Sequence, residues 1–147
     1  MRLDALEGRT VLFAYPRTGT PGEAPPGGEE RWDAIPGARG CTPQACAIRD
    51  DMPAFAARGV RVLGVSTQTP AEQREAVERL GLSYALLSDA DGALERALDL
   101  PAFEVDGLRM LRRLTLLLRD GVIEDAIYPV FPPDDAARAA LERLRGT

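Results

Sequence analysis

An α/β fold, with a mixed central sheet flanked by helices, is predicted by three features of the 147-residue chain. Short apolar runs alternate with helical stretches over most of its length, the pattern of parallel strands joined by crossover helices. Near the end, Asp120-Gly121 separates two further apolar runs, which is a hairpin signal and makes the last strand pair antiparallel. Apolar content of 45% and charged content of 28%, with no internal repeat or compositional break, fit one domain over residues 1–147.

Thr10-Val11-Leu12-Phe13-Ala14-Tyr15-Pro16 is apolar and β-rich and stops at proline, so it reads as a buried strand. Arg17 to Arg39 is dominated by Gly and Pro and reads as irregular, its second half packing down through Trp32 and Ile35. From Thr42 to about Ala57, the residues Ala45, Ile48, Met52 and Phe55 recur at helical spacing. Pro43 suits the first turn of that helix, and Pro53 predicts a kink or break. Val60 to Ser66 is the second strand. Thr69-Pro70-Ala71-Glu72 has a cap, a first-turn proline and the acidic partner of a capping box, opening a helix to Leu80 that Gly81 ends. Tyr84 to Ser88 is a short strand, and Asp89-Ala90-Asp91-Gly92 turns into a helix through about Leu98. Leu114 to Arg119 and Val122 to Tyr128 form the hairpin, and Pro132-Pro133-Asp134-Asp135 opens a last helix to about Leu144.

Composition removes several chemistries. There is no histidine, which excludes imidazole metal sites and Ser–His or Cys–His pairs. All 18 basic residues are arginine, so lysine-based phosphate loops and Schiff bases are excluded as well. A net charge of −5 argues against nucleic acid as a partner. No apolar run approaches the roughly 18 residues of a membrane helix, and Met1 to Gly8 lacks a signal-peptide core. The expected location is the cytoplasm, a reducing compartment.

The remaining chemistry lies in the two cysteines. Cys41 stands at a helix start, where the macrodipole is expected to lower the pKa of a thiol; Cys46 stands inside the helix and is expected to be the more buried. Five residues of helix separate their Cα atoms by about 8–9 Å, on faces about 140° apart. A disulfide needs them within about 7 Å, so the two can bridge only if the first turns unwind. Spacing alone leaves two readings open: a two-state redox element, or two unrelated core cysteines.

The residues around them carry a resemblance. Phe13-Ala14-Tyr15-Pro16, then Gly40-Cys41-Thr42-Pro43-Gln44-Ala45-Cys46 followed by Arg49-Asp50, resembles a peroxiredoxin of the bacterioferritin-comigratory-protein and peroxiredoxin Q class. Val62 to Ser66, Leu87-Ser88-Asp89 and Arg113-Leu114-Thr115 extend the likeness over most of the chain. The resemblance implies a thioredoxin-like fold and a thiol-dependent peroxidase acting on hydrogen peroxide and organic hydroperoxides. It implies Cys41 as the peroxidatic cysteine, Cys46 as the resolving cysteine of an intramolecular disulfide, and Arg113 as the arginine that supports the thiolate. It implies a thioredoxin-like reductant and no metal, haem or flavin, and we expect a monomer or weak homodimer. The alternatives are a non-peroxidatic thiol–disulfide oxidoreductase and a redox-sensing module on the same fold.

The chain departs from the family in two places. The family runs Pro-x-x-x-Thr-x-x-Cys without interruption, whereas here Pro16 and Thr20 are followed by Glu23, and Cys41 comes only after residues 23–40. Ala38 stands three before the cysteine in place of Thr or Ser. Residues 23–40 therefore read as an insertion. It either loops out and leaves Pro16 and Thr20 beside Cys41, or rebuilds the site with Arg39 or the Trp32 segment. Family members carry a further hairpin before the first strand, where this sequence has only Met1 to Arg9; it reads either as a naturally short chain or as one that starts downstream of its true beginning. Arg49 is assigned either to the thiolate or to a surface ion pair, Arg112 to the outward face, and Tyr128 and Phe131 to the site wall or to packing.

Overall fold

The structure, a computed structural model, describes residues 3–145. The ends of the N-terminal reading and of the domain bounds, Met1, Arg2, Gly146 and Thr147, lie outside the described residues. Strand β1 (Arg9–Ala14) is the centre of a five-stranded sheet ordered β3-β2-β1-β6-β7. β2 (Arg61–Ser66) runs parallel to β1, and β3 (Ala85–Ser88) runs parallel to β2. β6 (Leu114–Arg119) is antiparallel to β1, and β7 (Val122–Ile127) is antiparallel to β6. The sheet is mixed, as the alternating pattern and the Asp-Gly turn require. Asp120 and Gly121 both take positive φ, 49° and 79°, as a two-residue hairpin of this type demands.

Alternation along β1 divides the core. Val11 and Phe13 face helix α2 (Cys41–Ala57) and helix α5 (Ala136–Arg145); Leu12 and Ala14 face the opposite layer. On the first side Phe55 meets Phe13 edge to face at 6.2 Å, beside Ile48 and Ala45. Helix α3 (Pro70–Leu80) adds Val77 and Leu80 to the same cluster. On the second side helix α4 (Ala93–Leu98) contributes Leu94 and Leu98. Each fully buried large side chain here, such as Phe13, Phe55 or Ile48, contributes about 1.5–3 kcal/mol.

Three local expectations change. Helix α2 runs unbroken through Pro53, where a kink or break was expected; burial of Phe55 two residues later holds the last turn on the sheet. Residues 17–39 contain a six-residue helix, α1 (Glu29–Ala34), too short and too charged to show periodicity. Between α4 and β6 a second hairpin forms, β4 (Ala102–Val105) with β5 (Leu108–Leu111). Its turn is Asp106-Gly107, again with both φ positive, so the signal that marked the first hairpin was present here too. This hairpin packs Phe103, Val105 and Met110 against Trp32 and Ala38, the buried half of the loop.

Antiparallel pairing of β1 and β6 sets the site. Ala14 faces Leu114 in the register, so Arg113, one residue before β6, emerges where the chain leaves β1 at Tyr15. The N-terminus of α2 sits over that edge.

Candidate active site

Cys41 is the first residue of α2 and is buried. Its cap, Gly40, has φ +101°, and a Cβ there would lie 2.6 Å from Pro133 Cγ. Glycine is required on both grounds. The cysteine Sγ donates to the Ala38 carbonyl at 3.8 Å.

Arg113 is buried and its guanidinium is shared among four partners. Nη2 donates to Cys41 Sγ at 3.3 Å, to the Gly37 carbonyl at 3.1 Å and to the Arg39 carbonyl at 3.0 Å; Nη1 donates to Gln44 Oε1. A planar fork held at this many points keeps one geometry. Gln44 lies three residues after Cys41 on α2, and its buried Nε2 has no partner among the described residues.

Arg17 supplies the second positive region. The loop after β1 is pinned where Thr18 N–H donates to Gln68 Oε1 at 3.1 Å and Gln68 Nε2 returns to the Thr18 carbonyl at 3.3 Å. Arg17 Nη2 pairs with Glu72 at 2.9 Å. Its backbone amide and its charge both favour the Cys41 thiolate.

Burial pushes the Cys41 thiol up, while the Arg113 charge and hydrogen bond and then Arg17 pull it down; burial outweighs them and the net direction is upward. This runs against the expectation that a helix start lowers this thiol: the sulfur itself is buried, and the cost of desolvating its charged form exceeds what the nearby positive groups return. The order of burial is also reversed. Cys46 is partly exposed and Cys41 is buried, because Ala45 and Ile48 take the core face of α2 and Cys46 follows Ala45 by one step of about 100°.

Cys41 opens into a cleft of about 1000 Å³. Arg17 and Thr20 line it from one side and residues 23–40 from the other. Thus the two halves of the interrupted motif do meet, but not in the expected manner. Thr20 lines the cleft without a hydrogen bond to Cys41 among the described residues, and Pro16 is buried at the end of β1, outside the cleft wall. The contacts to Cys41 and Arg113 come from the carbonyls of residues 37–39. Sequence reasoning missed Arg17, Gln44 and these carbonyls; main-chain acceptors leave no residue-type signal.

The other candidates are resolved by geometry. Arg49 pairs with Asp50 at 3.0 Å and donates to the Leu80 carbonyl at 2.5 Å, a surface role away from Cys41. Arg112 lies over the Phe103 ring, 5.2 Å from its centroid. Neither Tyr128 nor Phe131 walls the cleft; Tyr128 is 52% exposed and Phe131 is 86% exposed.

A family model described as redoxin matches residues 1–142. The chain belongs to the redoxin family. Within it the chain is similar to peroxiredoxins of the Q and Bcp kind. It is 32% identical over 135 residues to the chloroplastic peroxiredoxin Q of Gentiana triflora, covering 92% of this chain and 54% of that protein. It is 35% identical over 83 residues to the peroxiredoxin Bcp of Escherichia coli K12, covering 56% of this chain and 42% of the relative. This redoxin spans about half the length of the curated relatives it matches. The crystal structure of peroxidoxin BcpB from Mycobacterium tuberculosis superposes with a TM-score of 0.74 at 29% identity, over 98% of this chain and 82% of that one. Peroxiredoxin Q of Xanthomonas campestris gives 0.72 at 26% identity, over 95% and 78%. The fold is thioredoxin-like. Among the described residues no helix is long and apolar enough to cross a membrane.

Proposed function

We propose that this redoxin is a thiol-dependent peroxidase for hydrogen peroxide and organic hydroperoxides. The observation that carries the reading is the Arg113 guanidinium 3.3 Å from Cys41 Sγ at the floor of an open cleft. Cys41 loses its proton and its thiolate attacks one peroxide oxygen. The S–O bond forms as the O–O bond breaks, and water or an alcohol leaves with the proton. Arg113 and the Arg17 amide stabilise the charge on sulfur and on the departing oxygen. Cys46 then attacks the sulfenic sulfur, water leaves, and an intramolecular disulfide forms. A thioredoxin-like dithiol restores both thiols and is itself oxidised. In this reading Pro16 ends β1 so that the Arg17–Thr20 loop turns over the thiol, and Thr20 borders the peroxide's approach.

Both cysteines lie on α2, so the proposed disulfide needs no second subunit, in keeping with a monomer or weak homodimer. Residues 1–147 act as one domain in which 23–40 is an insertion. A cytoplasmic location suits regeneration by a dithiol pool, and the net charge of −5 disfavours nucleic acid.

Intact-mass analysis tests the reading. One equivalent of hydrogen peroxide should remove two hydrogens from the parent protein within the mixing time. Cys41→Ser should remain unoxidised, and Cys46→Ser should gain one oxygen that dimedone traps. Slow, equal oxidation of the two thiols would sink the proposal.

A further inference from the structure

We infer that the wall built by residues 23–40 admits uncharged organic hydroperoxides and turns away anionic ones. The inference rests on the peroxidase reading and names its substrate class.

Size is the first observation. Hydrogen peroxide is little larger than water, which fills about 30 Å³ in the liquid. The cleft over Cys41 is about 1000 Å³, the scale of a site for a whole organic molecule. Its wall is anchored: Trp32 is buried against Phe103 with ring centroids 6.1 Å apart, and the carbonyls of Gly37 and Arg39 are bonded to Arg113. At Gly27, φ is +79° and a Cβ would lie 2.8 Å from Val105 Cγ2, so the wall closes tightly on the second hairpin. Pro25, Pro26, Trp32 and Leu108 give it apolar surface.

Charge is the second. Four carboxylates line the cleft, those of Glu23, Glu29, Asp33 and Asp106, against two guanidiniums, Arg17 and Arg39. Both guanidiniums are already engaged: Arg17 by Glu72 at 2.9 Å, outside the cleft wall, and Arg39 near Asp33 at 3.9 Å. No ion pair among the described residues reaches Glu23, Glu29 or Asp106. The floor at Cys41 is positive through Arg113, whereas the approach is negative. With Asp33 facing Arg39, the three carboxylates of Glu23, Glu29 and Asp106 leave the approach net negative, and such a field depletes anionic solutes at low salt. A neutral hydroperoxide crosses the rim without cost and finds apolar surface; a carboxylate-bearing one is repelled before it reaches the thiol.

The test compares cumene hydroperoxide with its para-carboxylate, two substrates of one shape that differ by one charge. With the full chain and a thioredoxin reductant, kcat/KM for the anion should fall about tenfold below the neutral compound at low salt. The gap should narrow in about 0.5 M salt, where the screening length is near 4 Å. Glu23→Gln combined with Asp33→Asn should raise the anion-to-neutral ratio several-fold. Glu78→Gln combined with Glu124→Gln, which removes the same charge elsewhere, should leave that ratio as in the parent. Equal kcat/KM for the two peroxides, or a ratio that the cleft variant does not move, would overturn the inference and leave the peroxidase intact. Consumption of neither peroxide would overturn the peroxidase reading and the inference with it.

Discussion

Helices α2 and α3 start by opposite rules. In α3, Thr69 accepts from the Glu72 amide at 3.2 Å, Glu72 accepts from the Thr69 amide at 3.0 Å, and Pro70 occupies the first turn. That start is held by bonds between near neighbours. In α2, Gly40 offers no side-chain cap and the first turn has no acidic residue. Its start is held from outside, by Arg113 on Cys41 and Gln44 and by Pro133 against Gly40. A helix held locally keeps its end whatever happens around it; one held by distant partners can let its end go when they are lost. In the proposed cycle the α2 start must unwind for Cys41 to reach Cys46, and a side-chain cap to oppose that is absent where it happens.

Removing the outside clamp should have the largest effect. Arg113→Met should slow peroxide oxidation of Cys41 by about 10²–10³-fold, the loss typical of one preorganised donor to developing charge. Stopped-flow Trp32 fluorescence follows it, and a loss under threefold would show that the clamp is structural only. The same trace against pH gives the next effect. Because burial raises the Cys41 thiol, its thiolate is the minor form at neutrality, and the oxidation rate should climb as pH rises through the alkaline range. A rate flat from pH 7 upward would show that Arg113 and Arg17 outweigh burial.

Two stability changes sharpen the contrast. Gly40→Ala forces a side chain into a left-handed φ and onto Pro133, and should cost about 1–3 kcal/mol in urea unfolding. It should also speed disulfide formation in the oxidised protein by loosening the α2 start. Thr69→Ala should cost about 1 kcal/mol by removing a cap, and leave the oxidation rate of Cys41 unchanged. Equal effects of the two variants on disulfide formation would erase the distinction between the helices.

The legible parts of the fold were those with local causes. Thr69, Glu72 and Gly81 specify the ends of α3 by bonds within a few residues, and Asp120-Gly121 specifies its turn. The β4–β5 hairpin escaped because each strand has four residues, although Asp106-Gly107 repeats the turn chemistry. At the site, Cys41 and Arg113 were legible as residue types, and the strand register explains why they meet. The relative burial of Cys41 and Cys46 was not, since it depends on which face of α2 meets the sheet. Nor was the support for Arg113 from residues 37–39, because every acceptor there is main chain.

That last feature bears on how such a site could diverge. Carbonyl oxygens exist at every position, so the acceptors at 37, 38 and 39 survive any side-chain replacement that preserves the path of the chain. What inheritance must preserve there is a curve rather than a spelling. A relative could rewrite those letters, lose the expected hydroxyl three residues before the cysteine, and still cradle the same arginine.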